Sequence, residues 1–97
     1  MLTPVHPGEI LKEEFMGPLG LSANALAHAI RVPPNRIAAI VNGTRGVSAN
    51  TALRLAKAFG TTPDFWLNLQ NAFDLDTARG DLGELEMVLR VESSNAP

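Results

Sequence analysis

Residues 22–42 read Ser22-Ala23-Asn24-Ala25-Leu26-Ala27-His28-Ala29-Ile30-Arg31-Val32-Pro33-Pro34-Asn35-Arg36-Ile37-Ala38-Ala39-Ile40-Val41-Asn42. Ser22 is a good N-cap, because its hydroxyl can accept from an unpaired N–H of the first turn. Ala23, Leu26, Ala27 and Ile30 then fall on one face about 100° wide, while Asn24 and His28 point the other way. Only Arg31 and Val32 separate this segment from a second one, which opens at Pro33-Pro34 and closes at Asn42-Gly43. Proline tolerates a helix start, and glycine is the usual residue past a helix end. Ala27 is small enough to let the two helices approach. Leu26, Ile30, Val32, Ile37 and Ile40 supply the apolar positions that lock them together. Two short helices joined this tightly are the signature of a helix-turn-helix unit over 22–42.

The second helix of that unit has Ile37, Ile40 and Val41 clustered on one side, so Asn35, Arg36, Ala38, Ala39 and Asn42 face outward. Their chemistry suits the major groove of a DNA duplex. Asn35 and Asn42 can pair with adenine edges, Arg36 with guanine or phosphate, and Ala38 and Ala39 can lie against thymine methyls. Ser22, Asn24, Pro33 and Pro34 stand at helix N-termini, where unpaired N–H groups and the dipole favour phosphate, although each proline removes a donor. Thr44 and Arg45, in the loop that follows, extend the candidate backbone contacts.

Outward from this unit, the periodicity places three further helices and no strand before the tail. The first begins at His6-Pro7, with Glu9 in its first turn, and is expected to stop at Gly17-Pro18. The fourth is capped by Ser48, carries Ala52, Leu55, Ala56 and Phe59 at helical spacing, and ends at Gly60. The fifth is capped by Thr61 or Thr62 and begins at Pro63. Phe65, Trp66, Leu69, Ala72 and Phe73 form its main apolar stripe, with Leu67 and Leu75 outside it. Those two leucines mark either a dimer interface or single exposed apolar residues. The fold class is therefore all-α, a five-helix domain over 1–79, followed by an acidic extension over 80–97. Met87 to Val91 suits either a helix or a short strand, and Ser93 to Pro97 reads as a frayed end.

The chain has 97 residues, enough for one core, and 45% of them are apolar. With no cysteine it has neither disulfides nor thiolate metal sites, as expected for a cytoplasmic protein. Its longest apolar run is the five residues from Ile37 to Val41, whereas a membrane span takes roughly 20. The net charge of −2 hides a strong asymmetry. Residues 1–14 carry Glu9, Glu13 and Glu14 against Lys12, and residues 64–97 carry seven acids against Arg79 and Arg90. Between them, 15–63 has no Asp or Glu and five cations: Arg31, Arg36, Arg45, Arg54 and Lys57. A basic centre of this kind provides the local potential that a polyanion requires.

Enzymatic function finds little support: the chain lacks Cys and Tyr, a glycine-rich phosphate loop and a Gly-x-Ser-x-Gly elbow. No cofactor or metal site is expected, since His6 and Glu9 read as helix cap and dipole partner. A protein-interaction module that never touches DNA is the alternative from another class.

Several segments together resemble the HigA-type antitoxins of the Xre/Cro/λ-repressor-like group. They are His6-Pro7-Gly8-Glu9-Ile10-Leu11, Val32-Pro33-Pro34-Asn35-Arg36-Ile37, Asn42-Gly43-Thr44-Arg45-Gly46, Thr51-Ala52-Leu53-Arg54-Leu55-Ala56 and Thr62-Pro63-Asp64-Phe65-Trp66-Leu67-Asn68-Leu69-Gln70. The likeness spans roughly 4–79. It implies a λ-repressor-like fold and a homodimer that binds a palindromic operator, represses its own operon and neutralises a HigB-like, RelE-fold mRNA endonuclease. A stand-alone regulator of the same group, with no toxin partner, is the alternative. A dimer of this kind presents its two recognition helices about 34–36 Å apart, one turn of the duplex. Two positions depart from the family pattern: Arg31 stands where members usually carry glycine, and Thr44 where they often carry a basic residue. A non-glycine residue in a left-handed turn costs on the order of 1 kcal/mol. Glu9, Glu13 and Glu14 are candidates for toxin binding, because toxins of this kind tend to be basic. The acids equally serve as solubilising flanks.

Overall fold

The computed structural model describes residues 4–91, and the expected frayed end at Ser93 to Pro97 lies outside them. The first helix, α1, is built of three consecutive stretches, Pro7–Ile10, a wider π-helical Leu11–Met16, and Gly17–Leu19. It is followed by α2 (Ala23–Ile30), α3 (Pro34–Val41), α4 (Ala49–Phe59) and α5 (Pro63–Asp81). A short 3-10 turn, Leu85–Met87, follows α5, so neither a regular helix nor a strand forms at Met87 to Val91. No helix among the described residues is long and apolar enough to cross a membrane.

α1 does not stop at Gly17-Pro18. In a regular α-helix the Pro18 ring would strike the Glu14 carbonyl four residues back. Here the Gly17 N–H donates to the Lys12 carbonyl, five residues back, and the widened turn lets Pro18 enter at the start of a new α-helical turn. The helix ends instead at left-handed Gly20, with N–H groups of Gly20 and Leu21 donating to the carbonyls of Gly17 (3.0 Å) and Met16 (2.9 Å).

The same paired closure recurs. At the end of α3, Gly43 and Thr44 donate to Ile40 and Ala39, with Gly43 left-handed, and at the end of α4 Thr61 donates to Ala56 past left-handed Gly60. At the end of α2 the left-handed residue is Arg31 (φ 63°), whose N–H and that of Val32 donate to His28 and Ala27. Three ends use glycine where the fourth uses arginine. Arg31→Gly is therefore expected to raise the unfolding free energy by about 1 kcal/mol, read as a higher urea midpoint at unchanged slope. A lower midpoint would show that the Arg31 side chain contributes more to the fold than its backbone costs.

The N-caps are side chains. His6 Nδ1 accepts from Gly8 N–H (2.9 Å), and the hydroxyls of Ser22, Ser48 and Thr62 accept from the N–H groups of Ala25, Thr51 and Phe65 at 3.1–3.3 Å. Thr62 is thus the cap of α5. Thr61 instead accepts from Trp66 Nε1 at 2.8 Å, which satisfies the one polar atom of a fully buried indole.

α2 packs on α3 and α4, α4 on α5, and α1 on α3 and α5. Leu11, Leu26, Ala27, Ile37, Ile40, Ala52, Leu55 and Trp66 form the centre, and the predicted locking residues Ile30 and Val32 are buried with them. Phe15, Phe59 and Phe65 surround Trp66 with ring centroids 4.9, 6.4 and 5.0 Å from it. His6 stacks edge-on against Phe73 at 4.8 Å, tying the start of α1 to the far half of α5. The radius of gyration is 17.1 Å, above the roughly 13 Å of a compact domain this size. The molecule is elongated, 55 Å along its longest axis. Past the middle of α5, Leu75, Leu82, Leu85, Val88, Leu89 and Val91 are exposed.

Candidate nucleic-acid interface

α3 turns Ile37 and Ile40 fully inward and leaves Asn35, Ala38 and Asn42 exposed, as the spacing predicts. Arg36 and Ala39 are only half exposed, so the open strip is narrower than the outward arc drawn from periodicity. The Arg36 Nε is buried without an acceptor. Pro33 and Pro34 are exposed at the start of α3 but contribute no N–H, and the Arg36 N–H is spent on the Pro33 carbonyl (3.0 Å). The start of α2 is better suited to an anion. Ser22 accepts the cap bond and keeps its own hydroxyl proton to donate, and Asn24 is exposed beside it.

In the loop after α3, Thr44 Oγ1 donates to the Ala39 carbonyl at 3.2 Å. Its proton is thereby directed inward, leaving the hydroxyl only acceptor capacity toward a phosphate. Arg45 beside it is exposed.

Among the described residues the one ion pair is Arg79–Asp76, 3.2 Å apart and solvent-exposed, so the cations of 15–63 have no carboxylate within pairing distance. Arg54 is nevertheless not a free surface charge. Its Nη1 donates to the carbonyls of Ile30 (2.8 Å) and Arg31 (3.3 Å), and its Nε to Asn50 (2.9 Å). It holds the negative end of α2 against α4, and so fixes the turn that sets the angle of α3. Nothing local in the sequence sets Arg54 apart from the other cations of 15–63, because the carbonyl it reaches lies 24 residues away.

Glu13 lines a shallow groove together with Lys12 and with Ala38 and Asn42 of the α3 strip. Glu9, Glu13 and Glu14 are all exposed on α1. Of the two leucines read as a dimer contact, Leu67 is half-buried against the protein's own core, while Leu75 is exposed on the far half of α5.

Two further residues matter to this face and were not singled out by spacing. The amide of Gln70 bonds the Val47 N–H in the loop beyond Arg45, and Gly8 lies against the last turn of α3. Both belong to segments quoted above for their resemblance, which was the only signal pointing to them.

A family model described as Helix-turn-helix matches residues 11–66. Antitoxin HigA-1 of Vibrio cholerae is 49% identical over 73 residues, covering 74% of this chain and 68% of that protein. Among solved structures, antitoxin GraA in complex with its operator superposes with a TM-score of 0.86 at 48% identity, covering 95% of each chain. Antitoxin HigA of Pseudomonas aeruginosa with the higBA promoter gives 0.84 at 40% identity, over 94% of this chain and 98% of that one.

Proposed function

Since this chain belongs to the helix-turn-helix family, in the branch of the HigA-type antitoxins, we propose that it is a homodimeric antitoxin that represses its own operon and neutralises a HigB-like, RelE-fold mRNA endonuclease. The observation that carries the DNA half is the α3 strip of Asn35, Ala38 and Asn42. It is exposed, small, rich in amides and flanked by unpaired cations, on a fold whose similar structures hold operator DNA. Small side chains let the helix backbone sit deep in the major groove, and the amides read base edges there. Arg36 reaches guanine or phosphate. Ser22, Asn24 and Arg45 hold the phosphates that set register.

The dimer is supported by the exposed apolar residues beyond the middle of α5. Leu75 and the segment from Leu82 to Val91 have no partner within the described chain, and a second copy covers them. The toxin half is supported by Glu9, Glu13 and Glu14, three exposed carboxylates on one helix, which attract a basic protein. No enzyme chemistry is involved.

One experiment tests the reading. The chain is co-expressed with the product of the neighbouring small reading frame, co-purified, and assayed for mobility shift of the DNA upstream of the operon that the two genes form. The expected result is a stable complex, and a shifted duplex that Leu75→Asp weakens by converting the chain to a monomer. A shift without any co-purifying partner would leave a stand-alone regulator. No shift would remove the DNA reading altogether.

A further inference from the structure

The connection from α3 to α4 is held at its two ends by different parts of the protein. Its first half is tied to α3 itself: the N–H groups of Thr44 and Arg45 donate to the Ala39 carbonyl at 3.0 and 3.2 Å, and the Thr44 hydroxyl joins them. Its second half is tied to α5. The Val47 N–H donates to Gln70 Oε1 at 2.7 Å, across 23 residues, and Gln70 Nε2 donates in turn to Asp74 Oδ1 at 2.9 Å, which fixes the orientation of the amide. Gly46 lies flat against that amide, where an added Cβ would come within 3.0 Å of its carbon, oxygen and nitrogen. The Val47 side chain is buried in the core immediately afterwards.

We infer that Gln70 is a positioning residue for DNA binding. It bonds the loop to α5 so that Arg45, two residues before Val47, is held on the side of the molecule that α3 presents. The inference rests on the DNA-binding role proposed for Arg45. Without the Gln70 acceptor, the Val47 N–H is half-buried and unpaired, a state that drives the backbone outward to reach water. The loop then keeps only its attachment to Ala39, and the guanidinium samples positions away from the phosphate. Gln70 itself carries no charge, and its amide is taken up by Val47 and Asp74. Its effect on binding therefore passes through Arg45.

The test uses the 97-residue chain and a labelled duplex from immediately upstream of its operon, titrated by fluorescence anisotropy over a salt series. Arg45→Ala is expected to weaken binding about fivefold to tenfold and to reduce the slope of log K against log salt by about 1. Gln70→Leu is expected to reproduce both changes although it removes no charge. The double variant Gln70→Leu/Arg45→Ala should bind no worse than Arg45→Ala alone. The exchange Gln70→Glu/Asp74→Asn keeps the net charge, the acceptor for Val47 and a hydrogen bond between positions 70 and 74, and should bind like the parent.

A folded Gln70→Leu with the parental slope, or losses that multiply in the double variant, would overturn the inference while leaving the role of Arg45 intact. An unchanged slope in Arg45→Ala would remove both. Should Gln70→Leu not fold, Gln70→Met, whose thioether is only a weak acceptor for the Val47 N–H, is read in the same way.

Discussion

Ala38→Glu is expected to abolish sequence-specific DNA binding without disturbing the fold. Ala38 is exposed at the middle of the α3 strip, between Asn35 one turn before it and Asn42 one turn after. Glutamate is a good helix former, so the helix itself loses little. On the duplex, however, the new carboxylate faces a polyanion at the point of closest approach. Like charges juxtaposed across an interface cost several kcal/mol, so affinity should fall by at least about 100-fold. Ala38→Gln, nearly the same size and uncharged, separates charge from bulk and should retain more of the binding. Anisotropy with the upstream duplex and a thermal melt read the two quantities independently. Parental affinity in Ala38→Glu would show that α3 is not the reading helix.

Gly8→Ala is expected to be among the most destabilising single-methyl changes in the molecule. Gly8 is buried where α1 crosses the last turn of α3, and a Cβ there would overlap the Ile40 carbonyl oxygen and sit 3.0 Å from the Val41 Cα. Backbone on both sides leaves nothing flexible to yield. The helices must separate, at a cost of about 3 kcal/mol. The displacement also moves α3, so DNA binding should weaken with stability. Gly80→Ala is the matched control: it lies on α5 with nothing within 4 Å of the added methyl, and should gain roughly 0.5 kcal/mol or more because alanine favours the helix. Urea denaturation of both variants checks the contrast, and equal midpoints would refute it. The His6-Pro7-Gly8-Glu9 segment then has a complete physical account. His6 caps, Pro7 starts the helix, Gly8 permits the crossing and Glu9 faces the helix dipole.

Most of the helical framework was legible in the chain because its signals are local. Ser22, Ser48 and Thr62 cap helices within three residues of themselves, and Gly43 and Gly60 close helices within five. The inward positions of α2, α3 and α4 follow from spacing alone. The first helix shows where such reasoning gives out. Gly17-Pro18 is a strong stop in a regular α-helix, and only the π-helical widening of Leu11–Met16 carries the chain past it. That widening depends on backbone geometry that residue types do not specify.

The site divides in the same way. Asn35, Ala38 and Asn42 were placed outward correctly, because a helix with a buried stripe has an opposite face. Arg36 and Ala39 are half-covered, since the width of a buried stripe depends on how many neighbours flank the helix rather than on its own period. Arg54 looked like one more surface cation, whereas it closes the end of α2 from a different helix.

Sequence by itself determined that this is an all-helical chain with a helix-turn-helix unit at 22–42, a cationic middle and acidic ends, for caps, periodicity and charge all act over a few residues. Tertiary structure alone decided which of those groups remain available to a partner. Thr44 and Arg54 turn their donors inward, Gln70 is bonded to the loop beside Arg45, and Gly8 allows α1 to rest on α3. Each of these depends on a donor meeting an acceptor, or two backbones meeting, and apart from Thr44 and Ala39 the partners lie more than 20 residues apart. Proximity of that kind exists only once the core has closed.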